Sequence, residues 1–203
     1  MTSPTPPAEP SYADRTYRSG AALVCGVLLI LLIGWIGGDA VFRGAGWAPW
    51  IALATLLTLI PLVVAFTLRP AVYANEERIR IRNPFRTIEL PWADVSHFRA
   101  SYTSELFTEG GAKYQLWAVP VSLRQRKKAD RQAGRAARSG AADAREPDLA
   151  TADQTMKEMR RLSEQAALRT DQTTTTASVR WAYELLAPSA VGAVLLVVLL
   201  AIS

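Results

Sequence analysis

Histidine and cysteine each occur once in the 203 residues, as His97 and Cys25. A lone cysteine excludes an intramolecular disulfide and any multi-cysteine metal site. Cys25 lies in an apolar run and reads as a small buried residue of a helix. The sequence has no Walker loop, no GxGxxG, no HExxH and no paired-cysteine motif, so nucleotide-cradling and zinc chemistry have nothing to rest on. His97 has Asp94 nearby, and a general-base role can be drawn for it. No serine, cysteine or second carboxylate stands at a spacing that would complete such a site, so His97 reads better as an edge or solvent-facing strand residue. The expectation is a protein that is not an enzyme and holds no cofactor and no metal. Charge is scarce early as well: before Arg69 the residues Arg15, Arg18 and Arg43 balance Glu9, Asp14 and Asp39, which leaves the net +5 to the rest of the chain.

What the chain has in quantity is apolar sequence, half of its residues, gathered into three long runs. Residues 20–42 are mostly Leu, Val, Ile, Ala and Gly with Asp39 near the end, and a bilayer core needs about 20 residues of helix. A cleaved leader is the alternative, since Arg15 and Arg18 precede the run, but the run is longer than a leader's apolar core and another follows at once. Residues 47–68 form the second span, antiparallel to the first across Arg43-Gly44-Ala45-Gly46, with a kink expected at Pro61. Residues 181–202 form the third. Glu184 near its start could be a functional carboxylate inside the span, or could reach headgroup water; the second reading is preferred. Arg15, Arg18, Arg69 and Arg180 flank the spans on one side and Arg43 on the other. The positive-inside rule then puts the N-terminus and residues 69–180 in the cytoplasm and the C-terminus outside the cell membrane. Trp47 and Trp50 would lie at the outer interface, Trp181 and Tyr183 at the inner one.

Residues 1–19, rich in Pro, Ser and Thr toward their start, read as a disordered cytoplasmic tail. The stretch 69–123 reads as strands. Arg78-Ile79-Arg80-Ile81-Arg82 alternates with period two, Asn83-Pro84 breaks it, and Arg86-Thr87-Ile88-Glu89-Leu90 resumes it as a hairpin. Ala71 to Ala74, Ser96 to Ala100, Ser104 to Thr108 and a run from Lys113 to Leu123 bent at Pro120 bring the count to five or six short strands, which suggests an antiparallel sheet or small half-open barrel. Trp92 and Trp117 could stack on a ligand, but a small sheet calls for them in its core. Residues 124–147 form a basic insertion, where seven positive residues from Arg124 to Arg138 face Asp130 alone. Residues 148–169 predict an amphipathic helix with Met156, Met159, Leu162 or Ser163, and Ala166 on its apolar face. The Thr-rich 170–180 reads as a tether to the third span.

A membrane hairpin followed by the ladder Arg78 to Arg82, Arg86 to Leu90 and the corner Pro91-Trp92-Ala93-Asp94-Val95 resembles the bacterial pleckstrin-homology (PH) domain proteins of actinobacterial membranes. The resemblance spans roughly residues 20 to 123. It implies three transmembrane helices carrying a cytoplasmic PH-like antiparallel half-open barrel, closed at one end by the C-terminal amphipathic helix. That family's fold has seven strands, one more than the sequence supplies before the basic run, so a strand hides near Pro120 or the insertion parts the sheet from its helix. No catalytic residue transfers.

The expected function is a membrane-held binding module for anionic lipid headgroups or a membrane or envelope protein partner. The alternative is a structural subunit of an envelope or division complex assembled through its spans, whose Gly26, Gly34, Gly37 and Gly38 permit close helix packing. Arg124, Arg126, Lys127, Lys128 and Arg131 are the first candidates for anionic contact, because basic clusters are drawn to an anionic leaflet. Arg78, Arg80, Arg82 and Arg86 are the second set, the first three being a stripe on one strand face. For both sets a solvated, functionless role is the competing reading. Nucleic acid is disfavoured, since interleaved aromatics are lacking and the segment is held at a membrane.

Overall fold

A computed structural model describes residues 15–75, 77–100, 103–120, 151–168 and 177–203. Two antiparallel sheets share one core, and three apolar helices are attached to one end of the larger sheet. That sheet has the order β1-β2-β3-β4-β8, from β1 (Arg15–Tyr17), β2 (Ala71–Ala74), β3 (Arg78–Arg82), β4 (Arg86–Pro91) and β8 (Ser178–Trp181). The smaller has the order β5-β6-β7, from Val95–Ala100, Ser104–Thr108 and Lys113–Gln115. A 3-10 turn at Trp92–Asp94 carries the chain between them.

Alternation drives the strands. Ile79 and Ile81 are fully buried while the arginines between them stay partly exposed, so β3 has one wet and one dry face. With Val72, Ile88, Leu90, Phe98, Leu106 and Leu116 they form the core. Asn75 turns the chain from β2 to β3 by accepting from the backbone N–H of Glu77 (2.9 Å) and Arg78 (2.8 Å), an Asx turn. Its own carbonyl takes the indole N–H of Trp92 at 2.8 Å, which seats Trp92 in the core at 5% exposure. Helix α3 (Thr151–Ala167) packs on β5 and the 3-10 turn through buried Met156 and Met159, with Leu162 and Ala166 at their margin.

Several expectations need correction. Residues 15–17, assigned to the tail, form β1, pairing Tyr17 with Val72; residues 178–180, assigned to the tether, belong to β8, pairing Val179 with Ile88. Both strands are short and find their partners far along the chain, so local pattern could not reveal them. They also bear on the strand count: among the described residues the additional strands flank the helices. The run from Lys113 is a strand only to Gln115 and then turns. Trp181 is in β8 and the third helix starts at Tyr183. The basic insertion lies outside the described residues.

Helix α1 (Gly20–Arg43) is capped by Ser19, whose hydroxyl accepts from the N–H of Ala22. Helix α2 (Ala48–Val63) runs through Pro61 into a π-helical turn at Val64–Leu68. Helix α4 is Tyr183–Ile202. All three, with α2 counted to Leu68, are long and apolar enough to cross a membrane. Helix α2 is central, packing on both α1 and α4. Val24, Leu28, Leu31, Leu32 and Ile36 of α1 are exposed, as is Cys25, contrary to its expected burial.

Candidate functional site

The antiparallel order brings the end of β1, the start of β2 and the end of β8 to one end of the sheet, together with the β3–β4 turn. Arg18-Ser19 leads from β1 to α1, Arg69-Pro70 from the π-turn to β2, and Ala182 alone from β8 to α4. The candidate residues are therefore sorted by their distance from this junction.

Arg78 and Arg80, on the outer face of β3, are committed to Glu89 of β4. Arg80 sits opposite Glu89 in register and reaches it at 3.1 Å, and Arg78 approaches it at 3.8 Å. Arg82, one rung nearer the helices, lies over the Tyr73 ring at 5.2 Å. Arg18 donates to the Tyr73 hydroxyl at 2.8 Å. The stripe thus exists as a face, but two of its members are paired with an acid. Arg86 is separate from it: it shares the face of Ile88, pairs in register with Trp181, and lies over the Tyr114 ring at 5.7 Å. Arg124, Arg126, Lys127, Lys128 and Arg131 lie outside the described residues.

Arg69 is a residue the sequence reading used only for topology. It donates from Nη1 to Glu184 at 2.7 Å, from Nε to the Asn83 carbonyl at 3.3 Å and from Nη2 to Thr87 Oγ1 at 3.2 Å. One guanidinium therefore joins the end of α2, the β3–β4 turn, β4 and the start of α4. Its side chain is 16% exposed and that of Glu184 63%, so Glu184 meets both Arg69 and solvent. On the far side of the sheet, Arg15 pairs with Glu158 of α3. Burial first, and the Glu158 carboxylate second, push the Tyr17 hydroxyl up to about 12.

Between the two sheets, at the helix end, a cleft of about 290 Å³ opens, lined by Phe66, Pro84, Phe85, Arg86, Trp117 and Trp181 among others. Each wall has a local cause. Phe66 is carried by the π-turn, a rare geometry that recurs at functional sites, and meets Phe85 edge-on at 5.1 Å and Trp117 at 5.6 Å. Asn83, itself buried, donates from Nδ2 to the Gln115 carbonyl at 2.8 Å and accepts from the Trp117 N–H at 3.4 Å. This clasp fixes the turn after β7 against the β3–β4 turn. Trp117 is consequently 43% exposed along the cleft and not in the core where it was expected. No alternation flags it, because it sits in a turn.

His97 is exposed on the smaller sheet and stacks on Phe107 at 4.5 Å, with Ser96 Oγ 3.5 Å from Nδ1. Among the described residues no group of three or more His, Cys, Asp or Glu side chains is placed to hold a metal. Glu105, beside Lys113 at 3.2 Å, has its carboxyl held below the usual range, chiefly by that lysine.

Residues 69–145 match the family model described as a bacterial PH domain. The match runs through β2 to β7 and supports a chain that contains a PH domain; β1, β8 and α3 lie outside it. No curated protein and no solved structure matches the chain.

Proposed function

We propose that this is a multi-pass membrane protein presenting a PH-like module at the cytoplasmic surface of the cell membrane, where the module binds anionic lipid headgroups or a membrane protein partner and catalyses no reaction. One observation carries the reading: all three apolar helices enter the same end of one sheet through linkers of one or two residues. A domain so attached cannot leave the surface its helices emerge from. Weak headgroup contacts then act at high effective concentration, and each basic residue near an anionic leaflet adds on the order of 1 kcal/mol. Arg124, Arg126, Lys127, Lys128 and Arg131 remain the first residues assigned to that contact. Arg82 and Arg86 are the members of the second set with no ion pair among the described residues.

The test requires the full chain, because a fragment limited to residues 69–170 would lose β1 and β8 and expose both edges of the sheet. An environment-sensitive dye is placed at Gln132→Cys in a Cys25→Ser background, and the protein is reconstituted in phosphatidylcholine vesicles with or without phosphatidylglycerol. A blue shift confined to the anionic vesicles is expected. It should weaken as salt shortens the Debye length and disappear when the five basic residues are changed to Gln. Identical spectra in both lipids would refute lipid sensing by this segment and turn the search to protein partners captured with the full chain.

The alternative, a structural subunit working through its spans, is favoured by one feature: Gly34 and Gly38 on α1 have nothing within 4 Å of where a side chain would begin, which leaves room for another helix. Self-association or co-purification lost in a Gly34→Leu, Gly38→Leu variant would support it.

A further inference from the structure

The cleft between the sheets combines two chemistries at one depth. Its walls are aromatic, formed by Phe66, Phe85, Trp117 and Trp181. Trp117 and Trp181 are 43% and 54% exposed, a large apolar commitment for a surface that faces water alone. Its charge is Arg86, which has no ion pair among the described residues and rests on Tyr114. Arg180, the residue before Trp181, pairs with Thr87 and so belongs to the other face of the sheet, which leaves Arg86 as the charge of the cleft. Acids are few nearby, and Glu184 is turned to Arg69.

Position selects the occupant. Phe66 lies in the last turn of one apolar helix and Trp181 two residues before another, so the cleft sits where the helices leave the bilayer, the depth at which phosphates and glycerol esters lie and at which Trp and Tyr concentrate. A volume of about 290 Å³ is at the small end for ligand sites, enough for a headgroup and the first chain carbons but not for a helix. Arginine binds phosphate through two parallel N–H donors, and basic pockets beside membrane helices take anionic headgroups. We infer that the cleft holds one anionic phospholipid of the surrounding bilayer, its phosphate on Arg86 and its glycerol end against Trp117 and Trp181. The inference rests on the membrane reading above and sharpens it from a diffuse surface attraction to a single site. Arg86, the one charged residue of the lining, disfavours a zwitterionic headgroup, whose ammonium it would repel.

The test uses the full-length chain in phosphatidylcholine vesicles that contain a trace of photoactivatable phosphatidylglycerol or phosphatidylcholine, with the reactive group near the glycerol, and adducts are mapped by mass spectrometry. Phosphatidylglycerol should label the segment 113–120 about fivefold more than phosphatidylcholine does. Arg86→Gln should remove the excess, and Arg86→Lys should retain most of it. Labelling of the exposed α1 face, Val24 to Leu32, reports insertion and should not change. Equal labelling of 113–120 by the two lipids in the wild type, or an excess that survives Arg86→Gln, would overturn the site. So would absence of adducts at 113–120 while α1 is labelled, and that result would leave the membrane reading standing. Absence of adducts on α1 as well would remove both.

Discussion

Arg69 has three partners within reach of one side chain, and they are not equal. The Asn83 carbonyl and the Thr87 hydroxyl belong to buried residues, so losing their donor leaves polar atoms without solvent to replace it. Glu184 is mostly exposed, and an exposed ion pair is worth less than about 1 kcal/mol. Arg69→Gln should therefore destabilise the protein by about 1–3 kcal/mol, whereas Glu184→Gln should cost less than about 1 kcal/mol. Denaturant titration of the two variants in mixed micelles checks the asymmetry. Equal losses would mean that the ion pair, and not the hydrogen bonds to the sheet, holds the junction together. Sequence could point to neither bond set, because a basic residue after an apolar run reads only as a topology signal.

At the scale of elements, the helices meet by close backbone approach in some places and leave space in others. A Cβ on Gly192 of α4 would lie 2.7 Å from the Thr58 backbone nitrogen and 2.9 Å from the Leu57 carbonyl carbon of α2, whereas one on Gly38 would meet nothing within 4 Å. Gly192→Val must push two helices apart and is expected to cost about 1–3 kcal/mol. Gly38→Val should stay within ~0.5 kcal/mol. Thermal unfolding of the reconstituted variants separates them, and a neutral Gly192→Val would show that α2 and α4 are not packed as described. The elements also show where sequence reasoning works. The hairpin from Arg78 to Leu90 and the apolar face of Met156 and Met159 were legible, because alternation and helical spacing are local and the apolar residues of each element share one buried face. Strands β1 and β8 were not legible: Arg15–Tyr17 and Ser178–Trp181 are three and four residues long, and they become strands only because β2 and β4 offer free edges. The cleft was half legible. Arg86 was a candidate, but Trp117 was assigned to the core, since the clasp by Asn83 that turns it outward depends on two turns 32 residues apart.

The whole molecule follows from one topological constraint. Because β1 pairs with β2, the segment before α1 and the domain after α2 must lie on the same side of the α1–α2 pair. Pairing of β8 with β4 brings the start of α4 to that side too, and α4 then carries Ser203 to the opposite side, along with the turn at Arg43–Gly46. The sheet and the packing of α2 on both α1 and α4 thus fix the relative arrangement of the three helices together. Charge is uneven between the two sides: Arg15, Arg18, Arg69, Arg82, Arg86 and Arg180 lie on the sheet side, and Arg43, bonded to Asp39 at 3.2 Å, lies on the other. The cytoplasmic placement of the sheet that we propose rests on the positive-inside rule. Single cysteines in a Cys25→Ser background test this with a membrane-impermeant maleimide. Ala45→Cys, in the exposed turn between α1 and α2, should be labelled on intact cells, and Ser96→Cys, on the exposed face of β5, only after the cells are opened. The reverse pattern would place the cleft and its Arg86 at the outer leaflet, while labelling of both in intact cells would break the topological link between β1, β2 and the helix pair.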